Sequence, residues 1–192
     1  TALRVKAFVV LVLLLVGLVK ANKITSLAQD EMFADEIVYT KDTHYQRIVI
    51  TRGRAGFQLF LNGNLQFSST DEYRYHEALV HPAMLVANNP RRVLVLGGGD
   101  GLALREILKY PSVERVTLVD LDPEMTKVSS RFPPPPKLNQ ASFNDPRVQV
   151  INEDAFIWVE DTPEAPYDAA IVDFPDPNTF ALGKLYTTRF YR

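Results

Sequence analysis

The apolar run Val93-Leu94-Val95-Leu96 passes directly into Gly97-Gly98-Gly99-Asp100-Gly101 and then into the helix-like stretch from Leu102 to Leu108. A strand, a glycine turn and a helix in that order constrain the chain to an α/β unit with a ligand-binding turn at the strand's carboxyl end. The turn carries its own anion, Asp100. A phosphate-binding turn offers bare backbone N–H groups at a helix N-terminus, where a carboxylate would repel the ligand. The pattern also departs from Gly-x-Gly-x-x-Gly, because the third glycine position falls on Leu102. A ligand cationic at that end, a sulfonium or an ammonium, suits the turn better than NAD does.

From Arg92 onward, strand-like and helix-like segments alternate. Val93–Leu96, Val116–Val119, Val148–Ile151 and Ala169–Val172 read as strands. The continuous apolar character of Val93–Leu96 is that of a parallel strand covered on both faces. Helices are expected over Leu102–Lys109, Pro123–Ser130 and Ala155–Glu160, and Pro133–Pro136 is expected to be a loop. The fold class is an open, doubly wound α/β sheet.

Each strand has an acid close behind it: Asp100, Asp120, Asp154 and Asp173. Ligands of such sheets bind outside the carboxyl ends of the strands. Carboxylates gathered on one rim raise one another's pKa, and a polycationic ligand relieves that cost. The bland alternative is that some of them cap helices or are solvated in loops. Asp120, about twenty residues past the glycine turn, is placed to accept hydrogen bonds from ribose hydroxyls.

Upstream, residues 36–69 read as a small antiparallel β unit. Tyr45–Thr51, Phe57–Leu61 and Asn64–Ser68 are its strands, and Asn62-Gly63 between the last two is a strong hairpin signal. Ser69-Thr70-Asp71-Glu72 fits a capping box with Ser69 at the N-cap, so residues 70–91 form a linking helix that His81-Pro82 breaks or re-caps. His76 and His81 are five apart, about 140° round a helix, which argues against the zinc motif with histidines four apart.

The run from Ala7 to Val19 is uninterrupted and apolar, with Arg4, Lys6, Lys20 and Lys23 flanking it. It falls short of the ~20 residues that span a bilayer unaided. A transmembrane end with snorkelling cations is favoured for residues 1–23, with a signal-peptide segment and a buried helix as alternatives. The net charge of −2 gives no electrostatic case for nucleic acid, and the absence of cysteine excludes disulfides. A chain opening on Thr1 and stopping at Arg192 reads as cut at both ends, leaving the sheet of residues 92–192 incomplete and its edge prone to association, including homo-oligomers.

Taken together, these strings resemble the spermidine synthase (polyamine aminopropyltransferase) family, over roughly Tyr39 to Tyr191. The matching pieces include Tyr45-Gln46, residues 61–66, Asp71-Glu72-Tyr73-Arg74-Tyr75-His76-Glu77, the glycine turn with Arg105-Glu106, Asp120-Leu121-Asp122, Asp154-Ala155 and Asp173-Phe174-Pro175-Asp176-Pro177. Asn62, Leu102 and Phe174-Pro175 depart from the commoner soluble members, and the apolar helix resembles a membrane-fused branch. The resemblance implies a Rossmann-like, class I methyltransferase-like catalytic domain. It also implies decarboxylated S-adenosylmethionine as co-substrate, no prosthetic group, no metal, and putrescine or another polyamine as acceptor.

By motif, Gln46, Gly97, Gly99, Asp120, Asp154 and Ala155 would hold the methylthioadenosine part, and Asp100 the aminopropyl ammonium. Tyr75, His76 and Asp176 would line the amine channel, and Asp173 would be the catalytic base. A catalytic domain on the cytoplasmic side of a membrane is the expected location. The competing functions are an S-adenosylmethionine-dependent methyltransferase and a non-catalytic, membrane-tethered polyamine- or nucleoside-binding protein.

Overall fold

The computed structural model of the chain describes residues 2–30, 33–161 and 166–191. Thr1 and Arg192, and the side chain of Lys23, lie outside what is described. Helix α1 (Ala2–Asp30) runs past the expected boundary at residue 23. Its segment Ala2–Lys20 is 19 residues long, fully exposed, and long and apolar enough to cross a membrane. At 1.5 Å per residue that is about 28 Å, close to the ~30 Å hydrocarbon core, so the shortfall of the bare apolar run closes once Arg4 and Lys6 are counted in the helix.

The β unit has four strands, β1 (Glu36–Asp42), β2 (Arg47–Arg52), β3 (Phe57–Leu61) and β4 (Asn64–Ser68), paired antiparallel in chain order. β1 was not delimited by the sequence. β2 starts two residues later than expected because Thr43 Oγ1 accepts from the N–H of both Tyr45 and Gln46 and holds them in a turn. Asn62 and Gly63 both have positive φ, 51° and 80°, which the right-handed twist of a two-residue hairpin demands.

Helix α2 (Glu72–Val86) departs from expectation at both ends. Ser69 is not its cap: the Ser69 hydroxyl accepts from the Phe57 N–H across the hairpin, and the helix starts at Glu72, two residues after the expected start at residue 70. Pro82 does not break it either. Val80 and Met84, one on each side of the proline, are both buried in the main core, and that packing carries the helix through the missing N–H.

The second sheet is all parallel, β5 (Arg92–Gly97), β6 (Arg115–Asp120), β7 (Val148–Asn152) and β8 (Ala169–Asp173), in the order β7-β6-β5-β8. Its helices are α3 (Leu102–Ile107), α4 (Pro123–Arg131), α5 (Pro135–Leu138), α6 (Ala155–Asp161) and α7 (Phe180–Gly183). Of the prolines expected to be loop, Pro133 and Pro134 lie outside any helix, while Pro135 and Pro136 open α5, since the first helical positions need no N–H.

Alternate residues of β5 face opposite layers. Val93 and Val95 join α2, α3, β6 and β8 in one core, while Leu94 and Leu96 join Val119, Trp158, Leu185 and Phe190 in another. This two-sided burial is why the strand reads as an unbroken apolar run. A third core bonds the β unit to the α/β layer, with Ile48, Ile50, Phe57, Leu59 and Phe67 packed on Leu102, Met125 and Val128. Leu102, 1% exposed, is thus the first residue of α3 and also a contact for the β unit. Leu102→Ala should cost about 2–5 kcal/mol, read as a lowered urea midpoint by the fluorescence of Trp158, the sole tryptophan. An unchanged midpoint would mean that the two layers do not share this core.

Candidate active site

β5 runs on into β6 and β7 on one side, while β8 lies on its other side, so the strand order reverses at the β5/β8 boundary. Ligands of open α/β sheets bind in the crevice outside that boundary. The register pairs Gly97 with Asp173. A Cβ on Gly97 would lie 2.2 Å from the Asp173 carbonyl oxygen, and φ there is +81°, so only glycine lets the turn pass so closely. The Gly98 N–H donates to that same carbonyl oxygen at 3.2 Å, tying the turn to the end of β8.

Three predicted residues meet here. One ligating atom from each of His76, Asp100 and Asp173 falls within 4.8 Å of the others. His76 Nε2 lies 3.9 Å from Asp100 Oδ2. Tyr75, beside His76 on α2, donates its hydroxyl to Asp173 Oδ1 at 2.8 Å. Asp100 Oδ1 accepts the Leu102 N–H at 2.9 Å, which fixes the side chain at the start of α3.

Asp120 closes the floor of the turn. Its two oxygens accept the N–H groups of Gly99 (3.0 Å) and Asp122 (2.9 Å), leaving each oxygen a further lone pair for a hydroxyl donor. A Cβ on Gly99 would sit 2.6 Å from Asp120 Oδ2. Gln46 reaches the same edge from the β unit, its amide donating to Asp122 Oδ2 at 3.0 Å, where the Thr43 hydroxyl also donates at 2.8 Å. Asp122 is buried and joins the two layers. Its signal in the sequence was the Asp-x-Asp spacing.

The remaining predicted residues sit apart. Asp154 caps α6, Oδ1 accepting the Phe156 N–H at 2.9 Å, and Oδ2 pairs with Lys184 Nζ at 2.5 Å. Of the four rim acids, it is the one that meets the bland alternative. Ala155 is buried at the start of α6, and Asp176 is exposed beyond β8. His76 and His81 do not converge: His81 Nε2 lies 3.1 Å from Glu106 Oε2 instead.

Burial pushes Asp100 up to about 6, aided by the charge of Asp173 and opposed by His76 and the Leu102 N–H. Asp120 is also pushed up to about 6 by burial, despite its two backbone hydrogen bonds. Burial raises Asp173 against the opposing pull of His76 and the Tyr75 hydroxyl. Tyr75 is itself raised by burial and by Asp173, so it stays protonated and donates. The pocket is therefore anionic and short of compensating charge, the environment in which a bound cation gains most.

A methyltransferase-like α/β sheet with a cation-seeking carboxylate cluster at its switch point is the class that this geometry defines. The spermine/spermidine synthase domain matches residues 72–192. The chain is 53% identical over 189 residues to a polyamine aminopropyltransferase of Leptospira interrogans, covering 98% of this chain and 38% of that protein. It is 55% identical over 179 residues to polyamine aminopropyltransferase 2 of Ralstonia nicotianae, covering 93% and 35% respectively. The fold matches a crystal structure of spermidine synthase in complex with the transition state analogue AdoDATO, with TM-score 0.75 and 32% identity, over 81% of this chain and 52% of that one. Spermidine synthase from Thermotoga maritima matches with TM-score 0.73 and 32% identity, over 81% and 51%. The chain thus spans well under half the length of the curated relatives named here. It belongs to the spermine/spermidine synthase domain family.

The raised carboxyls predict a pH signature. A carboxyl whose folded pKa exceeds its unfolded value is destabilising when ionised, and that cost grows as pH rises from about 4 to about 6. Asp100→Asn should therefore raise the thermal midpoint of ligand-free protein, the gap over the parent opening between those values and staying full above them. A gap that narrows with rising pH would contradict this electrostatic picture.

Proposed function

We propose that this chain carries the donor site and catalytic base of an aminopropyltransferase. It moves the aminopropyl group of decarboxylated S-adenosylmethionine to putrescine or another polyamine, releasing methylthioadenosine. The observation that carries the reading is the convergence of Asp100, Asp173, His76 and Tyr75 beside the glycine turn at the β5/β8 switch point. Family membership supports it, as does the fold match to a spermidine synthase solved with AdoDATO.

In this reading Asp120 takes the ribose hydroxyls on its outward lone pairs. Gly97 and Gly99 bring the turn against the Asp173 carbonyl and the Asp120 carboxylate, which shapes the wall that meets the nucleoside. Gln46 and Asp154-Ala155 border the nucleoside from opposite sides. Asp100 holds the aminopropyl ammonium and, being anionic, opposes the carboxylate that undecarboxylated S-adenosylmethionine would bring. Tyr75, His76 and Asp176 border the acceptor's path.

The acceptor arrives as an ammonium, near pKa ~10.4 by analogy with lysine, and is not nucleophilic until it loses a proton. The neighbouring sulfonium disfavours a second cation, and Asp173, raised by burial, takes that proton. The amine nitrogen then attacks the methylene on sulfur, the new C–N bond forms as the C–S bond breaks, and the electron pair leaves on a neutral thioether. Holding nitrogen, carbon and sulfur in line supplies much of the rate. Helix α1 serves as a membrane anchor, with the α/β layer on the cytoplasmic side where polyamines are available.

The test is a product assay with the decarboxylated donor and a panel of diamines and polyamines. Asp173→Asn should still bind donor while turnover falls by about 10²–10⁴. Near-normal turnover in that variant removes Asp173 from the chemistry. Tighter binding of carboxylated S-adenosylmethionine than of the decarboxylated form would overturn aminopropyl transfer in favour of methyl transfer.

A further inference from the structure

Behind His76 lies a buried charge network that the proposed chemistry does not use. Glu72, one turn earlier on α2, binds Arg105 of α3 through both oxygens, at 2.7 and 3.0 Å. The Arg105 guanidinium is held in turn by Glu106 Oε1 and the Leu138 carbonyl, each at 2.9 Å. Glu106 is matched by Lys109 at 2.5 Å, and despite its burial the neighbouring Lys109 and Arg105 hold its carboxyl below the usual range. Glu72, Arg105, Glu106 and His76 are all under 10% exposed.

His76 Nδ1 lies 2.8 Å from the Glu72 carbonyl oxygen and 2.9 Å from Glu72 Oε2. Both are acceptors only, so a bare Nδ1 would set its lone pair against two oxygens in a buried place. The proton belongs on Nδ1. Nε2 then faces the site, 3.9 Å from Asp100 Oδ2 and beyond hydrogen-bonding distance of it.

We propose that Glu72, clamped by Arg105, is a positioning residue that holds His76 in the Nδ1–H form, so that a bare Nε2 accepts an N–H of the amine bound beside Asp100 and Asp173. The inference rests on the aminopropyl-transfer reading for the identity of that amine. Arg105 matters because it balances the Glu72 charge, leaving Glu72 an acceptor without an unpaired buried anion behind the imidazole. The ring is thus oriented to help aim the nitrogen lone pair while Asp173 takes the proton.

The tautomer is measurable directly. Long-range ¹⁵N–¹H correlation on the full chain labelled at its three histidines, with methylthioadenosine and putrescine bound, should show His76 as Nδ1–H. A His76→Gln sample assigns the signal. An Nε2–H ring overturns the proposal, whatever becomes of any variant. Glu72→Gln can present its amide N–H to Nδ1, and should move the ring towards Nε2–H. Its kcat should drop at least ~10-fold, with a displaced acid limb of the pH–rate profile and little change in KM for the donor. A folded Glu72→Gln protein with parental kcat and pH profile overturns it. The spectroscopic arm needs no turnover, so its failure is distinct from a negative product assay.

Discussion

The pairing of Gly97 with Asp173 is the constraint on which the rest of this site depends. It joins the turn after β5 to the end of β8 with no room for a side chain between them, and the Gly98 N–H secures the contact. Asp100, three residues past Gly97, and Asp173 therefore occupy one crevice although 73 positions separate them in the chain. A side chain at Gly97 would push the strands apart at the place where the two carboxylates must meet.

The electrostatics divide into two regions within a few residues of each other. On α2, α3 and the turn that follows α3, Glu72, Arg105, Glu106 and Lys109 neutralise one another, and that balance stiffens the scaffold behind the crevice. At the crevice itself Asp100, Asp120 and Asp173 are left with little protein cation to answer them, and burial pushes all three upward. The fold thus carries a destabilising charge cluster that a doubly cationic ligand would relieve, while the neutralised network keeps the cluster in place until then. His76 is the residue shared by both regions, with one ring nitrogen on Glu72 and the other towards Asp100.

Where the chain's own neighbours along the sequence decide a structure, the residues could be read directly. The Asn62-Gly63 hairpin, the apolar runs of β5 to β8, the glycine turn and the acid behind each strand are of this kind, because strand pleat and turn dihedrals are set within a few residues. Ser69 and Pro82 misled for the complementary reason. The Ser69 hydroxyl is drawn to Phe57 across a hairpin, and α2 survives its proline because core packing on both sides outweighs one missing hydrogen bond.

The sequence by itself determined the α/β class, the apolar run of the first helix and the identity of the acids that could gather at the strand ends. Only the tertiary structure decided which of those acids come together. Asp154 is answered by Lys184, 30 positions on, and capping α6 it drops out of the cluster. Asp100 and Asp173 find each other and His76, while Glu72 meets Arg105, 33 positions on. Charge pairing in a folded chain is settled by distance in space and by burial, and neither is written in the local order of residues.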